Sequence, residues 1–426
     1  MGELAERLAT LVLGDSASAQ EASRALTPAD KWGDVVALAD VWRVIPALRR
    51  QATALPLHLT ETAERALRER SVRAAVQTTA VAYRAAVVCD ALRAAAIPCA
   101  AFKGIGVIGN LYRSPAERMV NDIDLLIDPR HLESAHRVLT RLGFSPVVDR
   151  IDAFVEYLDG RPLEGVASGN HFAVFIDADH IEVDLHWELG IRPAASFGCA
   201  SIIARAESVR LYGYVVPVAV PADAILLTVH HAVRSNFVPS STVKDLLDLA
   251  YWWECEGLLW QARTLIERAR DCGLAAPLWG LWRTLDDLDP GGAAGRALGG
   301  LVGDLSPVER RDGDHLRHLF RLQLRDGDLN TDLLQLLSRA TLTRFLRRRV
   351  RHARATVEFT NRIEQVLGLA PHRRPAQRLA ELLRTLGRLN PRTIAGYRAL
   401  LRAHGVGRRP VHERDGAPAA AQHRTS

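Results

Sequence analysis

The stretch Val120-Asn121-Asp122-Ile123-Asp124-Leu125-Leu126-Ile127 sets two carboxylates one residue apart inside an otherwise apolar run. In an extended strand residues i and i+2 share a face. Asp122 and Asp124 therefore project together, while Ile123, Leu125 and Ile127 face the other way into a core. Such a strand belongs in a sheet buried on one side and open to a polar cleft on the other. Two like charges side by side on a half-buried strand are unfavourable unless something positive sits between them. A divalent cation is the economical partner; the plainer reading is a solvated edge strand.

A third acid joins the pair. In Ile181-Glu182-Val183-Asp184-Leu185-His186-Trp187 the alternation puts Ile181, Val183, Leu185 and Trp187 on one face and Glu182, Asp184 and His186 on the other. If this strand lies beside the first, Asp184 converges on the same metals. Three carboxylates with two ions roughly 3.5–4 Å apart are the usual arrangement for phosphoryl or nucleotidyl transfer. Oxygen ligands suit Mg2+, with Mn2+ as the substitute, rather than zinc. His186 reads as a structural histidine beside core Trp187.

The apolar run Ile97 to Phe102 closes at Lys103-Gly104, a strand, a turn and then a helix. Such a junction exposes backbone N–H groups and the positive end of the helix dipole to an anion. Lys103 adds a point charge for phosphate. It is one of three lysines, with Lys31 and Lys244, in a chain whose other basic residues are all arginine. Lys244 and Asp248 are four apart on one helical face, which allows either an ordinary ion pair or a lysine reaching a triphosphate.

The chain has 426 residues, 48% hydrophobic and 24% charged, the balance of a soluble globular protein with room for two or three domains. Five dispersed cysteines without a zinc-type spacing read as reduced thiols. Met1 to Asp15 has no signal-peptide layout, and no apolar run approaches the roughly 20 residues of a membrane span. The expected location is cytoplasmic. The net charge of +6 includes a basic stretch, Arg344 to Arg354, which reads as a solvated face rather than a nucleic-acid patch.

Helices are expected over Leu4–Leu13, Trp32–Ala52 and Leu59–Ala95, then over Ile105–Tyr112 and Pro129–Leu142. Asp122–Ile127 and Phe144–Val148 read as strands. Hairpins are expected at His171–Ile176 with Ile181–Trp187, whose turn holds Asp177 and Asp179, and within Val209–Val220. Helices follow at Pro221–Arg234, Ser241–Trp253 and Leu258–Cys272. The glycines from Gly291 to Gly303 mark a boundary. The remainder to His404 reads as helical, and the tail from Arg408 as disordered.

Together, Lys103-Gly104, Leu111-Tyr112, Arg118, Asp122-Ile123-Asp124, Gly143-Phe144, Val183 to Trp187, Leu226 to His231 and Val243 to Ala250 resemble the uncharacterised nucleotidyltransferase family. That family lies in the DNA polymerase beta-like superfamily, and the resemblance covers residues 85–275. It implies a small mixed sheet flanked by helices; with the helices read from the pattern at either end, the expected fold class is α+β with helical N- and C-terminal segments. The expected organisation is a helical region over 1–84, the nucleotidyltransferase core over 85–190 and a cleft-completing segment over 191–285. An arginine-rich helical region over 286–407 and a disordered tail over 408–426 follow.

The resemblance makes Asp122, Asp124 and Asp184 the catalytic metal ligands, and Gly104 the phosphate-turn glycine. The superfamily's turn carries Gly-Ser or Gly-Gly, whereas Lys103-Gly104-Ile105 has no hydroxyl. Phosphate binding then falls to backbone N–H groups, Lys103, Arg118 or Lys244, although Arg118 also reads as a structural counter-charge. The implied reaction moves an NMP, with ATP the favoured donor, to an unknown hydroxyl or phosphate acceptor on a peptide or small molecule. The alternatives are an inactive nucleotide- or peptide-binding module, or a nucleic-acid-directed terminal transferase.

Overall fold

The computed structural model describes residues 2–14, 16–26, 31–55, 57–147, 172–187, 189, 197–234, 239–254, 262–290, 292 and 304–326. All of them lie in one compact unit, Met1–Ser338. The arginine-rich stretch and the tail fall outside the described residues.

Seven strands form one mixed sheet: β1 (Cys99–Ala101), β2 (Asp122–Ile127), β3 (Ser145–Pro146), β4 (Phe172–Ile176), β5 (Glu182–His186), β6 (Glu207–Leu211) and β7 (Tyr214–Val218). Their order is β3-β4-β5-β2-β1-β7-β6. β2 lies between β1, which it pairs antiparallel, and β5, which it pairs parallel. The register sets Asp122 beside Glu182, Asp124 beside Asp184 and Leu126 beside His186. Both hairpins expected from alternation, β4–β5 and β6–β7, are present.

Each strand's apolar residues pack where the pattern sends them. Ile123, Leu125, Ile127, Val183 and Leu185 are fully buried in one core with Val81, Ala85, Val88 and Leu92. The latter come from α5 (Glu61–Ala94), a 34-residue helix started by Thr60, whose hydroxyl accepts from Ala63 N. α6 (Lys103–Leu111) follows β1, and α7 (Leu132–Arg141) follows β2 after a short 3-10 turn. The 3-10 turn forms where Pro129 removes a donor.

The N-terminal helices are α1 (Gly2–Leu13), α2 (Ser16–Ala25), α3 (Trp32–Val41) and α4 (Ile45–Ala54). The single helix expected over Trp32–Ala52 is in fact two. Arg43 adopts φ 59°, which ends the first, and Pro46 sits in the opening turn of the second. α2 carries no apolar periodicity that announces it in the sequence. After the sheet come α8 (Cys199–Arg205), α9 (Pro221–Arg234), α10 (Pro239–Glu254), α11 (Ala262–Asp271), α12 (Ala275–Leu288) and α13 (Pro307–Asp326). Among the described residues no helix is long and apolar enough to cross a membrane.

Candidate nucleotidyl-transfer site

The acids meet across strands rather than along one. Neighbouring strands lie about 4.8 Å apart, whereas residues i and i+2 of one strand are separated by about 6.6 Å. The tight group is Asp124 and Asp184, paired across the two strands, with His186, whose longer side chain reaches Asp124 from two residues along β5; each offers one atom within 4.8 Å of the others. Asp122 shares their face but stays outside that trio. It is near enough for its charge to raise the affinity of Asp184 and Lys103 for protons. The convergence of Asp122, Asp124 and Asp184 expected from the sequence is thus realised for the second and third acids, with His186 joining them.

His186 is the residue that sequence reasoning underweighted. Its Nε2 lies 3.0 Å from Asp124 Oδ1, and its ring meets Phe102 edge-on at 5.0 Å. Packed on one side and hydrogen-bonded on the other, it fixes the rotamer of Asp124. Its place on the polar face with Glu182 and Asp184 was the available signal.

Lys103, the first residue of α6 and two past the end of β1, sits in the left-handed region at φ 49°, a conformation that costs a non-glycine residue energy. This turn brings Nζ to 2.6 Å from Asp124 Oδ1. Burial works against the charge of Lys103, but Asp124, Asp122 and Asp184 outweigh it and hold the ammonium protonated. The lysine expected at phosphate therefore stands on the acid itself.

Asp124 and Asp184 are neighbours with opposite fates. Burial opposes ionisation of Asp124, yet Lys103 and His186 overcome it and hold the carboxyl well below the usual range. Asp184 has no such partner. Burial first, then the charges of Asp124 and Asp122, push its carboxyl up to about 8. Its Oδ1 is buried without a hydrogen-bond partner. A carboxylate oxygen left so is costly unless a cation meets it. Two carboxylates sharing one face, one with an orphaned oxygen, fit a divalent ion of the oxygen-preferring kind.

Gly104 has a packing reason. A Cβ there would come within 2.7 Å of Val120 Cγ1, so glycine lets α6 lie against the residues leading into β2. The first turn of α6 has no side-chain cap and no acidic residue, so no side chain competes with an anion for its N–H groups.

Arg118 is only 5% exposed and is committed elsewhere. Its Nε and Nη2 donate to Asp248 Oδ1 and Oδ2 at 3.0 and 2.6 Å, and Tyr112 Oη donates to Asp248 Oδ1 at 2.7 Å. The structural reading of Arg118 fits this bidentate pair, though its counter-charge is Asp248 rather than the acid cluster. The alternative Lys244–Asp248 pair does not form. Lys244 has no hydrogen bond or ion pair among the described residues, and burial, then the Arg118 charge, depress its proton affinity. His231 Nδ1 lies 2.7 Å from Asp245 Oδ2. Asp177 is a turn residue, as expected, accepting from Asp179 N and Ile181 N.

The family described as uncharacterised nucleotidyltransferase matches residues 28–288, more than half of the chain and well beyond the span legible by eye. The match takes in α3, α4 and the whole of α5. No curated protein matches the chain.

Proposed function

Because the chain belongs to the uncharacterised nucleotidyltransferase family, we propose that it transfers an NMP, AMP by preference, from an NTP to a hydroxyl or phosphate oxygen of an acceptor. Nucleotidyl transfer as the reaction type follows from the family. The observation that carries it is the register of β2 against β5, which sets Asp124 beside an Asp184 whose Oδ1 is buried and unpartnered.

Asp124 and Asp184, with Asp122 at the edge, would hold Mg2+ or Mn2+, which supplies Lewis-acid charge at the triphosphate and keeps Asp184 ionised. The chain's own groups do the rest. His186 keeps Asp124 oriented. The N–H groups opening α6, at Lys103 and Gly104, face the phosphates, and Lys103 moves its charge from Asp124 to the nucleotide as that arrives. The acceptor oxygen forms a bond to the α-phosphorus while the α–β bridging bond breaks. The departing electron pair leaves on pyrophosphate, and the proton of an acceptor hydroxyl passes to Asp184. A peptide or small molecule is the acceptor this reading favours.

Incubation with magnesium, α-labelled ATP and a cell lysate tests the reading. Label should reach an acceptor, and Asp124→Asn, Asp184→Asn and Asp122→Asn should each cut transfer by about a thousandfold or more, the loss of a site charge from a chemical step. Nucleotide binding with no transfer, indifferent to all three changes, would instead identify a binding module.

A further inference from the structure

A pocket opens between the α3–α4 turn and α10, lined among others by Arg43, Glu117, Tyr112, Arg118, Lys244 and Tyr251. Three cations and one carboxylate stand on its wall, and Asp248 lies behind it, already shared by Arg118 and Tyr112. Arg50 adds a further positive charge, its guanidinium 4.9 Å over the Tyr251 ring. The wall is net positive even with both acids counted.

Two of its donors have nothing to donate to. The Lys244 ammonium is half-buried and unpaired among the described residues. The Tyr251 hydroxyl is buried without a hydrogen-bond partner. The buried hydroxyl left so is an energetic fault; with an unpaired ammonium on the same wall it points to a missing acceptor. Arg43 supplies a third observation. It holds φ 59°, strained for a residue that is neither glycine nor asparagine. With the Asn121 amide oriented by its partners, Arg43 donates from Nε and Nη2 to the amide oxygen at 3.2 Å. Asn121 directly precedes Asp122. The strain therefore delivers a guanidinium, one edge still open, to the flank of the acid cluster. Ammonium and guanidinium only donate, and the Tyr251 hydroxyl has a proton to donate, so a ligand rich in acceptors answers all three.

Resting on the nucleotidyl-transfer reading for its nucleotide, the geometry points to a phosphate seat in this pocket, where Lys244, Arg43 and Tyr251 take the terminal phosphate of the NTP, apart from the turn at Lys103-Gly104. The N-terminal helices thereby become part of the nucleotide site, and the chain acquires a means to prefer a triphosphate over a diphosphate.

Calorimetric titration of the full-length protein with ATP, ADP and tripolyphosphate tests this, with Mn2+ binding followed separately by electron paramagnetic resonance. The unmodified chain should bind tripolyphosphate and should prefer ATP to ADP by about tenfold or more, the worth of one charge-assisted contact. Lys244→Met and Arg43→Met should each weaken ATP and tripolyphosphate by about tenfold while ADP and Mn2+ hold within about twofold. Tyr251→Phe should weaken ATP a few-fold. Lys244→Met strands no partner, so it should fold and melt no lower than the unmodified chain. An ATP-to-ADP ratio unchanged in Lys244→Met, or no preference for ATP at the outset, would overturn the proposal. Failure to bind Mn2+ with tripolyphosphate binding intact would sink the transfer reading and leave the phosphate seat standing.

Discussion

Asp184 pairs a buried, unpartnered oxygen with a carboxyl raised to about 8 from an ordinary value of 3.8. A folded-state value above the unfolded one stabilises the fold fully below the unfolded value, and that stability is lost as pH rises through the folded one. The cation-free protein should therefore lose stability between about pH 4 and pH 8 on account of this group. Asp124 has the opposite sign, and its contribution is lost only at more acid pH, outside that window. Melting temperatures recorded from pH 5 to 8.5 should fall for the metal-free chain and stay level for Asp184→Asn, and added Mn2+ should rescue only the former. A flat profile shared by both proteins would contradict the assignment. Lys103 stands 2.6 Å from Asp124, where it would compete with a bound cation. Lys103→Met should then tighten Mn2+ about tenfold in the absence of nucleotide, by removal of a nearby like charge, and weaken ATP. Equal Mn2+ affinities would exclude that competition. At this scale alternation placed Asp122 and Asp124 on one face and Asp184 on the polar face of a second strand, and joined the three only on condition that the strands pair, as β2 and β5 do. It did not show that the imidazole of His186, two residues along β5 from Asp184, reaches back to Asp124 at 3.0 Å and so completes the tight group where Asp122 does not.

Elements show a similar division. β2 and α9 run between the residues that patterning named, because Asn121, Pro221 and the apolar periods mark their ends. The break between α3 and α4 was hidden, since apolar spacing continues through Trp42-Arg43-Val44 and only the backbone of Arg43 departs from it. Helix α6 is held against its neighbours by absent side chains. Gly104→Ala should destabilise the protein by about 1–3 kcal/mol through overpacking. Val120→Ala in the same chain should recover part of that loss, since Val120 Cγ1 is the obstructing atom. Chemical denaturation of the two single variants and the double variant measures the coupling; strict additivity would mean that α6 relaxes freely. The tie between the lead-in to β2 and α10 is the Arg118–Asp248 pair, both side chains at least 95% buried. Asp248→Leu leaves a buried guanidinium alone and should cost about 3–5 kcal/mol. The paired change Arg118→Met with Asp248→Leu should cost clearly less.

At the scale of the molecule, the described N-terminal and C-terminal helices close on each other. α1 packs against α10 and α13, Arg321 Nη2 donates to Glu6 Oε1 at 2.9 Å, and Ser18 Oγ donates to Asp289 Oδ1 at 3.4 Å. Leu8, Leu11 and Val12 of α1 are buried there. A chain cut to residues 57–288 retains the sheet but exposes that apolar surface. It should melt lower or aggregate, which size-exclusion and thermal unfolding would show. A truncated chain as stable as the full one would make the flanking helices accessories. Sequence patterning found these helices but not their mutual packing, because contacts between residues 6 and 321 leave no local signature.

The parallel pairing of β2 with β5 has a kinetic consequence. Asp124 and Asp184 are joined by a crossover that must close before the strands can align, and closure of so distant a contact costs entropy early and is rewarded late. The Asp124–Asp184 cluster is then assembled after the folding barrier. Bound Mn2+ should lengthen the lifetime of the native state and leave the refolding rate nearly untouched. In a stopped-flow chevron only the unfolding limb should move.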